Sequence, residues 1–326
     1  MIFALETSCD DTCAALVSDD GTILANVISS QEVHDRFGGV VPEIAARHHL
    51  ELIDAVVGEA FARAGAGLDE VSLVAATRGP GLTGALLVGF CAAKSFAAAR
   101  QLPFAAIDHL HGHVAAAYLA PARFEPPFLA LIASGGHTLL LDVSARGAPV
   151  EVLARTLDDA AGEAFDKGAR MLGLGYPGGA ALSRLAADGD PRSYDFPTGR
   201  SEDFSFAGLK TALLYKTREV DASDPRVRAN LAAAYQRAIV EALLRRVRRG
   251  LQRSGRTRLA LGGGVAANAA LRAAVGELGV ELFLPPAELC TDNAAMIAAA
   301  AIDGEAYAYP DYLGLDVYAT GEGPLR

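Results

Sequence analysis

The sequence of 326 residues contains no tryptophan, three methionines and four cysteines. The cysteines, at positions 9, 13, 91 and 290, form no CxxC pair, so neither a common zinc framework nor a disulfide framework is indicated. No apolar run reaches the ~18 residues that a membrane-spanning helix requires. The N-terminus, MIFALETSCDD, lacks the basic start of a signal peptide. These absences predict a cytoplasmic protein in a reducing compartment with no membrane partner.

Basic residues are in the minority. The chain has 29 Lys and Arg against 39 Asp and Glu, a formal net charge of -10. An acidic chain is a poor candidate for tight nucleic-acid binding by bulk charge. One segment is locally basic, RRVRRGLQRSGRTR at 245–258. We interpret this segment as the solvated end of an amphipathic helix, where arginine complements the helix dipole. A local basic surface for nucleic acid is the alternative.

Apolar residues make up 51% of the chain, enough for about two domains with their own cores. Two pairs of segments look alike. Residues 3–27 and 129–154 each contain an apolar strand, a small polar turn and a second apolar run. Residues 73–99 and 258–275 each contain a strand, a Gly-rich turn and a helix. The first pair matches with an offset of 126 residues at Ala4/Ala130, Leu5/Leu131, Ser8/Ser134 and Thr12/Thr138.

A repeated supersecondary unit determines the architecture. The sequence therefore predicts an α/β protein with two similar lobes that face a cleft. We place the first lobe at residues 1–120 and 288–326 and the second at 121–287, with the boundary near the proline-rich segment LAPARFEPPFLA.

Several glycine-rich turns follow strands or enter helices. They are SGGHT at 134–138, YPGG at 176–179 and LGGGVAAN at 261–268. Such turns let backbone N–H groups approach a phosphate closely. None matches the P-loop pattern, and each alone is ordinary loop punctuation. Within a duplicated α/β frame they favour a bound nucleotide, as in the superfamily of actin, sugar kinases and the Hsp70 ATPase.

Three of the seven histidines of the chain lie within DHLHGH at 108–113. His109 and His113 stand four residues apart, so they project from one face of a helix and can chelate a metal ion, whereas His111 cannot share that face. Asp292, in the segment CTDNAAM, is a candidate third ligand, although a carboxylate before an Ala-rich helix is more often an N-cap. A His/His/Asp set suits Fe(II), Zn or Mn.

The histidine pair does not belong to a zinc peptidase of the H-E-x-x-H type, because Leu110 follows His109 and no acid lies between the histidines. Three alternatives remain open at this point. They are a metallopeptidase, which the two-histidine helix supports and the missing glutamate disfavours, a sugar or acetate kinase with Asp11 as its catalytic carboxylate, and a nucleotide-binding scaffold subunit without activity.

Motifs spread over nearly the whole chain resemble one family. They are ETSCDDT (6–12), GGVVPEIAARHHL (38–50), RGPGLTGALLVG (78–89), HLHGH (109–113), SGGHT (134–138), DDAAGEAFDK (158–167), GLGYPGG (173–179), FSFAGLKTA (204–212), GGGVAAN (262–268) and CTDNAAMIA (290–298). The sequence resembles the tRNA threonylcarbamoyladenosine biosynthesis proteins of the bacterial TsaD type, formerly called O-sialoglycoprotein endopeptidases.

The resemblance implies an actin-like, duplicated fold and a metal-dependent acyltransferase. The reaction would move the threonylcarbamoyl group from threonylcarbamoyl-AMP to N6 of adenosine 37, in the anticodon loop of tRNAs that read codons beginning with A. The implied partners are tRNA, a paralogous TsaB-like subunit, a TsaE-like ATPase and a separate threonylcarbamoyl-AMP synthase. One divalent ion per subunit is implied, Fe(II) in preference to Zn(II).

Carried over by motif, the metal ligands are His109, His113 and Asp292, and the acidic catalytic candidate is Asp11, where the family often has Glu. The implied substrate-binding residues are Ile132, Ala133, Ser134, Gly135, Gly136, Asp166, Gly179 and Asn268. Two positions depart from the family. Ser183 replaces an Asp that some members use as a ligand contact, and Asp108 stands where His or Asn is frequent.

Overall fold

The chain, seen in a computed structural model that describes residues 1–199 and 201–319, divides into two compact units. The first unit contains residues 1–126 and 145–148 and the described residues from 291 onward. The second unit contains residues 127–144 and the described part of 149–290. Strands and helices are numbered along the whole chain.

The first unit is built on a six-stranded sheet. Its strands are β1 (Ile2–Glu6), β2 (Asp11–Val17), β3 (Ile23–Ser30), β4 (Leu73–Gly79), β5 (Phe104–Asp108) and β11 (Ala306–Tyr307). Its helices are α1 (Pro42–Ala64), α2 (Thr83–Ala99), α3 (His109–Ala115) and α10 (Ala294–Asp303).

The second unit is built on a five-stranded sheet. Its strands are β6 (Phe128–Ala133), β7 (Thr138–Val143), β8 (Glu151–Arg155), β9 (Arg258–Gly262) and β10 (Glu281–Phe283). Its helices are α4 (Ala161–Met171), α5 (Gly179–Ala187), α6 (Ala207–Glu219), α7 (Pro225–Ser254), α8 (Ala269–Gly276) and α9 (Ala287–Cys290).

The two sheets share one topology. Their strand orders are β11-β5-β4-β1-β2-β3 and β10-β9-β6-β7-β8. In each sheet three strands form an antiparallel meander, and two later strands add in parallel beside the first. The register agrees as well, since Ala4 faces Ala15 in β2 and Ala130 faces its counterpart Leu141 in β7. The duplication predicted from the sequence is confirmed.

Burial explains why the central strands read as continuous apolar runs. Strands covered on both faces by helices or neighbouring layers need apolar side chains at every position. All five residues of β1 and all six of β6 are buried. Glu6, the last residue of β1, is the single charged residue among them, and its exposure is 0%.

The long helices begin and end at residues that suit those positions. Pro42 opens α1, and Gly65 ends it in the left-handed conformation, with φ of 61°. Asp224 caps α7 by accepting hydrogen bonds from the N–H groups of Arg226 and Val227. Among the helices of the described residues, none combines the length and the apolar character that crossing a bilayer would require.

One residue of the arginine-rich segment departs from the interpretation as a solvated helix end, whereas Arg245, Arg248 and Arg253 are exposed as expected. The N-terminal part of the segment lies within α7, where Arg246 is only 2% exposed. The Arg246 guanidinium donates hydrogen bonds to the carbonyl oxygens of Thr198, Ser201 and Asp203. That residue therefore secures a loop of the second unit, and the three carbonyl oxygens supply the acceptors that a buried guanidinium needs.

Helix α2 packs so closely on the end of β1 that residue 89 must be glycine. A β-carbon on Gly89 would overlap the Thr7 hydroxyl, which accepts from the Gly89 N–H and donates to the Ala85 carbonyl. We therefore expect Gly89→Ala to lower the free energy of unfolding by about 1–3 kcal/mol, measured in urea. Gly58→Ala is the matched control, because no atom lies within 4 Å of a β-carbon at that position in α1.

The control substitution should leave stability unchanged or raise it by about 0.5–1 kcal/mol, since alanine has the higher helix propensity. Equal stability of the Gly89→Ala and Gly58→Ala proteins would contradict the close packing of α2 on β1.

Candidate functional site

Two imidazoles project from α3, directly after β5. Asp108 caps this helix, since its Oδ1 accepts hydrogen bonds from the N–H groups of Leu110 at 2.9 Å and His111 at 3.1 Å. His109 and His113 are both buried, and their ring centroids lie 4.8 Å apart. The cap fixes the first turn of α3, and the i, i+4 spacing places both rings on one side of it.

The third donor of the cluster comes from near the other end of the chain. The helix cap that the sequence allowed for Asp292 belongs instead to Asn293, whose side chain accepts from the N–H of Met296 at 3.0 Å. The Asp292 carboxylate faces the imidazoles: its Oδ1 lies 3.4 Å from Nε2 of His109 and 3.3 Å from Nε2 of His113.

Close packing of α10 on α3 brings these groups together. Gly112 lies between the two histidines, and a β-carbon there would come within 2.8 Å of the Ile297 side chain. A larger residue at position 112 would therefore require the Ile297 side chain of α10 to shift.

The three side chains fit a divalent metal ion. One donor atom from each lies within 4.8 Å of the others. Ligands about 2.0–2.2 Å from an ion stand roughly 3–3.5 Å apart, which is the spacing of the carboxylate from the two imidazoles. Both ring nitrogens of His113 are buried and, within the part of the chain that the structure describes, lack a hydrogen-bond partner. A buried polar atom without a partner is costly unless another ligand binds it.

Glu6, which was not among the predicted site residues, lies behind His109. Its Oε2 lies 2.8 Å from Nδ1 of His109, and its carboxylate also accepts from the Thr77 hydroxyl and the Ser8 N–H. Burial alone would raise the pKa of Glu6, but the charge of His109 and the hydrogen bonds hold the pKa below its usual value. A carboxylate on Nδ1 orients the imidazole with Nε2 toward a metal. The sequence signal for Glu6 was its position as the single acidic residue at the end of an apolar strand.

Charge explains why this cluster suits a cation. Burial would lower the pKa of His109, but Asp292 and then Glu6 raise it well above the usual value. The pKa of Asp292 lies well below its usual value: burial would raise it, but the charge of His109 outweighs that effect. Both carboxylates therefore favour positive charge between them, and a divalent ion would supply it.

Asp11 begins β2 and pairs with Ser30 of β3. The pKa of its carboxyl is raised to about 7. Burial is the largest cause, the charge of Asp292 also raises the pKa, and a hydrogen bond from Ser30 partly opposes them. Buried His49 secures the surrounding segment, with Nδ1 2.8 Å from the Thr12 hydroxyl and Nε2 3.0 Å from the Cys9 carbonyl. A carboxyl with a pKa near 7 is suited to proton transfer at neutral pH.

The residues implied in substrate binding all lie in the second unit. Ile132 and Ala133 are buried at the end of β6. Ser134, Gly135 and Gly136 belong to the turn from β6 to β7, and the two glycines are exposed, with no atom within 4 Å of a β-carbon at either position.

Hydrogen bonds connect the other three implied substrate residues. Asp166 Oδ1 accepts from the N–H groups of Gly178 at 2.8 Å and Gly179 at 3.0 Å. The Ser183 hydroxyl donates to the Gly179 carbonyl at 3.0 Å and accepts from Asn268 Nδ2 at 2.8 Å. Asn268 also caps α8. Ser183, a departure from the family, therefore joins the YPGG turn to the GGGVAAN segment.

The raised pKa of Asp11 predicts a stability effect. The unfolded carboxyl has a pKa of about 4, so wild-type protein loses stability as the pH rises from about 4 to about 7. We therefore compare the free energy of unfolding of Asp11→Asn with that of wild type, in urea and after EDTA treatment. The stabilisation by Asp11→Asn should be about 1–3 kcal/mol larger at pH 8 than at pH 5. Asp54→Asn, on the exposed face of α1, is the control. A gain independent of pH would contradict the prediction.

Comparison with known proteins identifies the family. The family model described as TsaD, tRNA N6-adenosine threonylcarbamoyltransferase, matches residues 22–299. The curated tRNA N6-adenosine threonylcarbamoyltransferases of Anaeromyxobacter sp. strain Fw109-5 and Anaeromyxobacter dehalogenans strain 2CP-1 are 51% and 50% identical, each over 92% of this chain and 92% of the relative.

The fold is similar to that of a solved structure, component A of the (R)-2-hydroxyglutaryl-CoA dehydratase of Acidaminococcus fermentans. The TM-score is 0.56 at 15% identity, over 95% of this chain and 97% of the other. Such a likeness, together with the two matching sheets, confirms the predicted duplicated α/β fold of the actin type. From the family model and the curated relatives it follows that the chain belongs to the tRNA N6-adenosine threonylcarbamoyltransferase family.

Proposed function

We propose that this chain transfers the threonylcarbamoyl group from threonylcarbamoyl-AMP to N6 of adenosine 37 in tRNAs that read codons beginning with A. The observation that carries the proposal is the cluster of two buried histidines, His109 and His113, with Asp292 in a chain of this family. The cluster gives no support to a zinc peptidase, because Leu110 occupies the position of the general base in H-E-x-x-H.

The adenylate would be held by the second unit. The exposed Gly135 and Gly136 of the turn between β6 and β7 would offer backbone N–H groups to the phosphate. Asp166 would accept hydrogen bonds from hydroxyl or amide groups of the ligand. Burial raises the pKa of its carboxyl, and the N–H groups of Gly178 and Gly179 offset that effect only partly. Gly179 and Asn268 would contact the remainder of the nucleotide. These roles follow from the family motifs and from the hydrogen bonds that join the three residues.

In the transfer, the N6 nitrogen forms a bond to the carbamoyl carbon, the bond from that carbon to the phosphate oxygen breaks, and AMP leaves. A metal held by His109, His113 and Asp292 would act as a Lewis acid on the carbonyl oxygen. Asp11, with a pKa of about 7, would take the proton that N6 loses. Glu6 would orient His109 throughout, because it holds Nδ1.

The adenine amine is a weak nucleophile, so positioning and carbonyl polarisation would supply most of the acceleration. Bases of an anticodon loop are already partly unstacked, and a flipped adenine could reach a buried site. Fe(II) is the metal favoured by family resemblance, and Zn(II) also suits the ligand set.

The proposal includes partners and location. The net charge of -10 disfavours tight tRNA binding by this chain alone. We therefore propose that a TsaB-like subunit and a TsaE-like ATPase assist it in the cytoplasm, and that a separate synthase supplies threonylcarbamoyl-AMP. These partners follow from the family resemblance.

The metal site predicts a difference between neighbouring histidines. His113→Gln should lose most of the bound metal, because one of three protein ligands is removed. His111→Gln should keep it, because no His111 nitrogen belongs to the cluster. Metal per chain is measured by plasma mass spectrometry after reconstitution with Fe(II) without oxygen. Equal metal content in the two variants would exclude His113 as a ligand.

The reaction itself is tested with tRNA. The protein, its partner subunits and the synthase are incubated with threonine, bicarbonate, ATP and unmodified tRNA, and the nucleosides are analysed by mass spectrometry. We expect threonylcarbamoyladenosine with wild-type protein and with His111→Gln, and at least about 100-fold less with His113→Gln or Asp11→Asn. Absence of the product in the wild-type reaction would contradict the proposed function.

A further inference from the structure

The last described segment of the first unit packs against β4 and α2. We call residues 311–318 the C-terminal strap. Tyr312 is fully buried, with its ring centroid 5.3 Å from that of Phe104. Lys94 Nζ donates to the carbonyl oxygens of Leu313 and Leu315 at 3.3 and 2.9 Å. These contacts fix the course of the strap along the first unit.

The strap ends beside the carboxyl ends of β4 and β5. Arg78 Nε donates to the Asp316 carbonyl at 2.7 Å, and the Tyr318 N–H donates to the Arg78 carbonyl at 3.0 Å. Gly79 has φ of 151°, and a β-carbon there would overlap both the ring and the carbonyl of Tyr318. Glycine at position 79 therefore makes room for the tyrosine.

The Tyr318 hydroxyl reaches the cap of the helix that carries both histidines. It donates to Asp108 Oδ2 at 2.5 Å. The other oxygen of the same carboxylate, Oδ1, accepts from the N–H groups of Leu110 and His111. With both oxygens engaged, the carboxylate can rotate only by breaking a charge-assisted hydrogen bond. Asp108 is thus held from two sides, by α3 and by the strap.

We propose that Tyr318 is a positioning residue for the metal centre: its hydrogen bond to Asp108 fixes the start of α3 and thereby the chelating geometry of His109 and His113. The inference rests on the metal site of the proposed function and adds to it a contact from the C-terminal strap. Hydrogen bonds to the groups that hold metal ligands change metal affinity, because they fix the orientation that the ligands must have when the metal binds.

The test is a titration of metal-free protein with Co(II), followed by its visible absorption, which reports coordination geometry independently of activity. Tyr318→Phe removes the hydroxyl and keeps the ring. We expect its Co(II) dissociation constant to rise on the order of 10-fold, with a changed visible spectrum. Tyr307→Phe is the matched control, because it removes a tyrosine–carboxylate hydrogen bond in the same unit to Glu305, a carboxylate that does not cap α3.

A double-mutant cycle separates a direct effect from a general loosening of the first unit. In an Asp108→Asn background, where the charge-assisted bond is already gone, Tyr318→Phe should change the Co(II) affinity by less than about 2-fold. An equal loss of Co(II) affinity in both backgrounds would overturn the inference. A Tyr318→Phe protein with the Co(II) affinity and spectrum of wild type would also overturn it. If wild-type protein fails to bind Co(II), the metal site itself is wrong and the positioning role falls with it.

Discussion

The arrangement on which the candidate site depends is a pair of carboxylates, Glu6 fully buried and Asp292 partly buried, that faces a pair of imidazoles. Glu6 and Asp292 lie on opposite nitrogens of His109, and Asp292 also faces His113. Charged groups out of water are tolerated only when they are compensated by opposite charge and hydrogen bonds. A cation is the natural fifth member of this group of four side chains, because it would compensate the two carboxylates.

The first unit is folded so that distant segments meet at this cluster. Glu6 ends β1, the histidines follow β5, and Asp292 precedes α10. Close approach is required at three glycines, with Gly89 against Thr7, Gly112 against Ile297 and Gly79 against Tyr318. Small residues at these contacts allow the helices and the C-terminal strap to pack against the sheet without a gap. The second unit repeats the topology and carries the turns that we propose to bind the nucleotide.

Local sequence patterns predicted the periodic parts of the molecule. The repeated strand–turn–strand pattern indicated two matching sheets, and the i, i+4 spacing placed His109 and His113 on one helix face. What the patterns could not predict depends on contacts between distant residues. Glu6 meets His109 across 103 residues and Tyr318 meets Asp108 across 210, so neither pairing leaves a local signal. Burial of Arg246 was missed because an arginine on a helix ordinarily faces water.

X-ray absorption at the metal edge of reconstituted wild-type protein tests the central claim most directly. If His109, His113 and Asp292 hold the ion, the spectrum will show two imidazoles and a carboxylate oxygen at about 2.0–2.2 Å. The imidazole contribution will fall to one ring in any His113→Gln protein that still retains metal. A spectrum dominated by water or sulfur ligands, or one unchanged by that substitution, would contradict the account.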